Sequence, residues 1–133
     1  MNIGQFLVLY IASIPIFIVF DLAWLGVVAK DFYQSRLQHL FGDVIWTPAI
    51  IFYAVYMFGF TYFVTYPALT HSIGRTAFMG AIFGLVTYAT YDLTNHATLR
   101  DWPLSVTLVD IMWGTMLGAV VATLTTLAYR FVG

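Results

Sequence analysis

The sequence predicts an all-α fold: a four-helix transmembrane bundle with a short interfacial helix between the first and second spans. Three observations carry that prediction. The 133 residues are 62% hydrophobic and only 8% charged, against about 25% charged in an ordinary soluble domain. Four mostly apolar runs have about the 20-residue length that crosses a bilayer as a helix. One polar connection, residues 30–43, carries apolar residues at helical spacing. A soluble fold of this size has too little interior to hide so much apolar surface. Residues 1–133 therefore read as a single integral membrane domain.

The first span is expected at about residues 5–29, with Pro15 inside it as a source of a kink. The MNIGQF start lacks the basic region and small-residue cleavage site of a signal peptide, so this run is expected to be retained as a spanning helix. In KDFYQSRLQHLFGD, Tyr33, Leu37, Leu40 and Phe41 fall at i, i+4, i+7 and i+8, one helical face. Two readings stand for this segment: a helix lying in the membrane interface, or a connecting helix with its leucine side packed on the bundle. The second span is expected at about 47–66, with Pro48 in its first turn and Pro67 just past its end. The third is expected at about 77–95. The fourth, at about 104–129, opens after Trp102-Pro103.

Lys30, Arg36 and Arg100 fall on one side of this topology, and Arg75 and Arg130 on the other. The positive-inside rule then favours both termini outside the cytoplasm. Charge this nearly balanced also fits a dual-topology dimer. Trp46, Tyr66, Trp102 and Tyr129 lie near span ends and read as the ordinary interfacial aromatic belt.

The informative anomaly is acidic. The chain has six acidic residues, all aspartate, and three of them, Asp21, Asp92 and Asp110, interrupt predicted spans. A carboxylate at a helix centre costs on the order of 2.5–3.5 kcal/mol on insertion scales. Antiparallel threading places all three in one membrane half, the half of Lys30, Arg36 and Arg100. Each sits on a distinctive helix face: Ser13, Phe17, Asp21 and Trp24 on the first span; Gly80, Gly84, Tyr88, Tyr91, Asp92 and Asn95 on the third; Asp110, Gly114 and Gly118 on the fourth, with Thr107 and Trp113 adjoining. Glycines four apart let a neighbouring backbone approach closely. Lipid tails offer a carboxylate no partner, so these faces are expected to turn inward.

Tyr88, Tyr91, Thr94, Asn95 and Thr107 are candidate donors to the aspartates, and Arg100 is long enough to reach back from the helix end. Trp24 and Trp113 each follow an aspartate by three residues, a spacing that suits an indole N–H donated to the carboxylate. Burial and mutual repulsion both disfavour ionisation, so at least one aspartate is expected to hold a proton near neutral pH. The bland alternative is that each aspartate fastens helices, for about 0.6–2 kcal/mol per contact. Three in one half of so small a bundle favour a functional site.

Other chemistries are narrowed. With a net charge of −1 and no cysteine, nothing supports nucleic-acid binding, and disulfides, thiolate catalysis and cysteine-ligated metals are excluded. No cofactor is implied. A lower-ranked alternative places a metal at Asp21, Asp92, Asp110 and His96, an oxygen-rich set suited to Mg, Mn or Zn. Nothing resembles a Ser–His nucleophile pair or a phosphate-binding glycine loop.

At YATYDLTNHATLRDWP, followed by VDIMWG, the chain resembles a small bacterial predicted membrane protein family, domain-of-unknown-function family 2177. The resemblance runs through essentially the whole chain, FDLAWLG included, and falls on Asp21, Trp24, Tyr91, Asp92, Asn95, Arg100, Asp101, Trp102, Asp110 and Trp113. It implies a four-helix protein of the bacterial inner membrane and brings no activity, cofactor or catalytic role with it.

The leading expectation is a small-molecule binding or transport protein of the lipid bilayer, with proton exchange at Asp21, Asp92 and Asp110 and a homodimer to enclose the path. A membrane-embedded enzyme acting on a lipid or isoprenoid is the second reading. A non-catalytic accessory or assembly subunit is the third.

Overall fold

The computed structural model describes residues 1–132. Among the described residues the chain is all-α, with five α-helices. Helix α1 (Ile3–Ala23) is capped by Asn2, whose side chain accepts the Gln5 backbone N–H at 3.1 Å. It takes in Pro15 without ending there and runs on into a π-helical turn, Trp24–Val28. Helix α2 (Lys30–Leu37) follows, with a 3-10 turn at Gln38–Leu40. Helix α3 (Trp46–Phe60) likewise continues as a π-helical turn, Thr61–Thr65, and a 3-10 turn from Pro67 to Thr70. Helices α4 (Ile73–Thr98) and α5 (Leu104–Val132) complete the chain.

Among the described residues, three segments are both long and apolar enough to cross a membrane: Ile3–Val28, Trp46–Thr70 and Leu104–Val132. This corrects the expectation of four plainly hydrophobic spans. Helix α4 has the length, at 26 residues, but threonine, tyrosine, aspartate, asparagine and histidine dilute its C-terminal half. It also begins four residues earlier than its hydrophobic run. The Ser72 side chain caps it by accepting the Arg75 backbone N–H at 3.3 Å, which satisfies an otherwise orphaned donor.

Helices α4 and α5 make the most extensive interface, and glycine is the reason. A Cβ on Gly80 would overlap the Gly118 carbonyl oxygen, and one on Gly84 would overlap that of Gly114. The two backbones therefore touch, in antiparallel register. Between helices in lipid there is no hydrophobic drive, so association rests on van der Waals contact of this kind. The main core is built on this pair by Phe17 of α1, Tyr56, Met57 and Phe60 of α3, Val64 of the π-helical turn, and Leu117, Val121 and Ala122 of α5.

Helix α2 packs on the bundle: Tyr33 and Leu37 are buried with Trp102 and Val106, while Leu40 and Phe41 remain exposed. The expected apolar face is thus half used, and the packed connecting helix is the form adopted. Arg36 caps the contact, donating to Ser105 Oγ at 3.1 Å and lying 4.1 Å above the Phe32 ring. The outer faces of α1, α3 and α5 present exposed apolar side chains, among them Ile11, Val19, Val55, Phe58, Leu108 and Met116, as lipid contact requires.

Candidate functional site

Asp21, Asp92 and Asp110 come together at one end of the bundle, around a single cavity. Their surroundings differ. Asp21, buried on α1, accepts a hydrogen bond from the Tyr53 hydroxyl of α3 at 3.0 Å. Asp110, half-buried on α5, accepts one from the Tyr33 hydroxyl of α2 at 2.8 Å, and the Tyr33 oxygen in turn accepts from Trp24 Nε1 at 3.0 Å. Burial pushes the Tyr33 phenol well above its ordinary pKa; the Trp24 indole opposes this and the Asp110 charge adds to it. Tyr33 therefore remains a donor throughout the working pH range.

Asp92 of α4 is different again. It is 0% exposed, yet neither carboxyl oxygen has a hydrogen-bond partner among the described residues. Its charged neighbour is another carboxyl, Asp110. A buried polar group left unpartnered is rare enough in folded proteins to require an explanation.

Trp24 and Trp113 stack face to face, with ring centroids 4.4 Å apart and planes 4° from parallel. The two Asp-x-x-Trp segments therefore meet, but crossed. Trp24 serves Asp110 through Tyr33, and Trp113 approaches Asp21 without completing a hydrogen bond. Each indole thus serves the side of the other helix's aspartate, Trp24 only through Tyr33.

The cavity has a volume of about 540 Å³ and is partly open. All three aspartates line it, and Lys30 and Gln34 of α2 stand at the same wall. Most of the remaining surface is aromatic: Phe52, Tyr53 and Tyr56 from α3, and Tyr88 and Tyr91 from α4. Tyr88 occupies the place beside Gly114 where a side chain at that position would otherwise lie. The glycine seam thus gives way to bulky rings, and space opens between α4–α5 and α1–α3. An apolar enclosure with a few convergent polar groups is the usual form of a small-molecule site.

A family model described as "Predicted membrane protein (DUF2177)" matches residues 6–127, nearly the whole chain and every site residue. The chain belongs to that family. It is accordingly a membrane protein, as its apolar helices also indicate. No curated protein and no solved structure matches it.

In this DUF2177 chain the residues expected at the site divide into two groups. Tyr88 and Tyr91 line the cavity, although Tyr91 is 60% exposed and leans edge-on to Trp102 instead of turning inward. Trp24 and Trp113 form the stacked layer next to the aspartates. The other expected donors are engaged elsewhere. Thr94 bonds to the Thr90 and Tyr91 carbonyls of its own helix. Thr107 accepts from Trp102 Nε1 at 3.0 Å and pairs with His96 Nδ1 at 3.1 Å. Asn95 lies near Tyr91, and Arg100 is exposed in the turn before α5. Neither is at the cavity wall. The four-residue metal set is not assembled: among the described residues no three of His, Cys, Asp and Glu stand close enough together to hold a metal ion.

The residues missed at the sequence level are phenols. Tyr33 and Tyr53 bond to two of the aspartates and Tyr56 lines the cavity, and the second span, which has no acidic residue, supplies two of the three. The available signal was position. Tyr53 and Tyr56 fall well inside an apolar run, away from the interfacial belt where tyrosine needs no further account.

Proposed function

We propose that this protein binds a small molecule in the acidic cavity and moves it across the bacterial inner membrane in exchange for protons. In this reading α4 is a fourth span. Its outer face (Phe78, Ile82, Leu85, Val86 and Leu93) is exposed and apolar, and its polar residues lower the average without facing lipid. Four helices enclose little space, so the transporting unit is a homodimer. The termini lie outside the cytoplasm and the cavity opens toward it.

The observation that carries the reading is Asp92. A buried carboxyl with no donor needs a proton or a cation in its place. Asp92 stands at the wall of a cavity where either can arrive. A helix fastener would be bonded across an interface, as Asp21 and Asp110 are. Exchange of a proton for a ligand at Asp92 would couple the two movements.

The test is proton movement in proteoliposomes loaded with a pH-sensitive dye, on addition of a panel of amines, amino acids and organic acids. At least one compound is expected to trigger proton flux that Asp92→Asn abolishes while the variant stays folded. Flux identical in wild type and variant, or no flux with any compound, contradicts the proposal.

A further inference from the structure

We infer that the cavity selects an organic cation: an amine or quaternary centre carrying apolar substituents. This rests on the cavity being a ligand site, as proposed above, and adds the class of ligand. Four features converge on it.

The first is charge. Asp21, Asp92 and Asp110 face the cavity against one basic residue of the lining, Lys30, which is exposed at its edge. An anion entering this space meets like charge at close quarters, a juxtaposition that costs several kcal/mol. The second is the unpartnered pair of oxygens on Asp92, nine-tenths buried and more. Two carboxylates already have phenol donors, and the third is left for something that brings positive charge or a donated proton.

The third feature is the aromatic wall. Phe52 and Tyr53 lie 5.2 Å apart by ring centroid, Phe52 and Tyr56 5.5 Å, and Tyr56 and Tyr88 6.5 Å with nearly perpendicular planes. All four rings line the cavity, and a cation over an aromatic face gains about 0.5–2 kcal/mol. The Tyr56 hydroxyl is also buried without a partner, so it can accept from an ammonium N–H. The fourth is size. About 540 Å³ lies within the range of small-molecule pockets and far exceeds one metal ion, and among the described residues no three metal-ligating side chains are close enough to hold one. The charge that fits is spread over an organic body.

Tetraphenylphosphonium and tetraphenylborate share shape and apolar surface and differ in the sign of charge. Their binding to the protein in nanodiscs can be measured by quenching of tryptophan fluorescence, with empty discs subtracted and neutral triphenylphosphine oxide as the third probe. The phosphonium is expected to bind at least about tenfold more tightly than the borate, and Asp92→Asn and Asp21→Asn, each checked for folding, are expected to weaken it. Equal or tighter binding of the borate or the phosphine oxide overturns the cation assignment and leaves the cavity as a ligand site. So does phosphonium binding unchanged in both variants. Binding of none of the three overturns the ligand site itself.

Discussion

The α4–α5 pair behaves differently along its length. Toward the start of α4, Gly80 and Gly84 meet Gly118 and Gly114, and the two backbones are in contact. Toward its end, the same helical stripe continues as Tyr88 and Asp92 beside Asp110, and the wall of a cavity replaces the seam. One face thus does two jobs, distinguished only by side-chain size. Where the stripe is glycine, nothing fits between the helices. Where it carries phenols and carboxyls, the helices hold open a cavity that the tight half keeps in register. On the proposed reading, the tight half is scaffold and the open half is site.

The comparison predicts opposite responses to substitution. The largest effect belongs to the seam. Gly84→Leu sets a side chain against the Gly114 carbonyl, and a helix backbone cannot step aside. The loss is expected to exceed the roughly 1–3 kcal/mol of ordinary overpacking, and thermal unfolding in detergent will show it as a collapse of the transition. Native-like melting of this variant would mean that the helices are not in backbone contact.

Next comes Tyr33→Phe. It removes the donor from Asp110 and the acceptor from Trp24 at once. A hydrogen bond to a charged group is worth about 1.5–3 kcal/mol, and chemical unfolding of the variant is expected to show a loss of that order. Because Asp110 then becomes as unpartnered as Asp92, ligand binding should change as well. Ser72→Ala sits far from the site, at the N-cap of α4, and is expected to cost about 1 kcal/mol. Phosphonium binding should be unaffected by it. A change in binding would show that stability and site are not separable along this helix.

Much of this division is present in the residue order. The four-apart glycines on the third and fourth spans, and the placement of Asp21, Asp92 and Asp110 in one half, follow from spacing and topology alone. So does the burial of Ser13, Phe17, Gly80, Gly114 and Thr107. What spacing does not reveal is partner choice. Thr107 was an equal candidate for any carboxylate until the fold set Trp102 and His96 beside it. Tyr33 belongs to a connecting segment whose docking depends on Trp102 and Val106, some seventy residues away in the chain. Tyr53 reaches Asp21 only because α3 packs against α1. The full extent of α4 was obscured for a different reason: average hydropathy treats its inward polar stripe and its outward apolar one alike.

The smallest expected effect on stability is also the most decisive. Asp92→Asn preserves shape and removes a buried carboxyl that nothing in the fold holds. Thermal unfolding of wild type and Asp92→Asn, in the same detergent and at neutral pH, separates site from scaffold directly. The account predicts a melting temperature for the variant equal to or above that of the wild type. A clear drop would show that Asp92 fastens the bundle, and would contradict the assignment of the acidic half as a site.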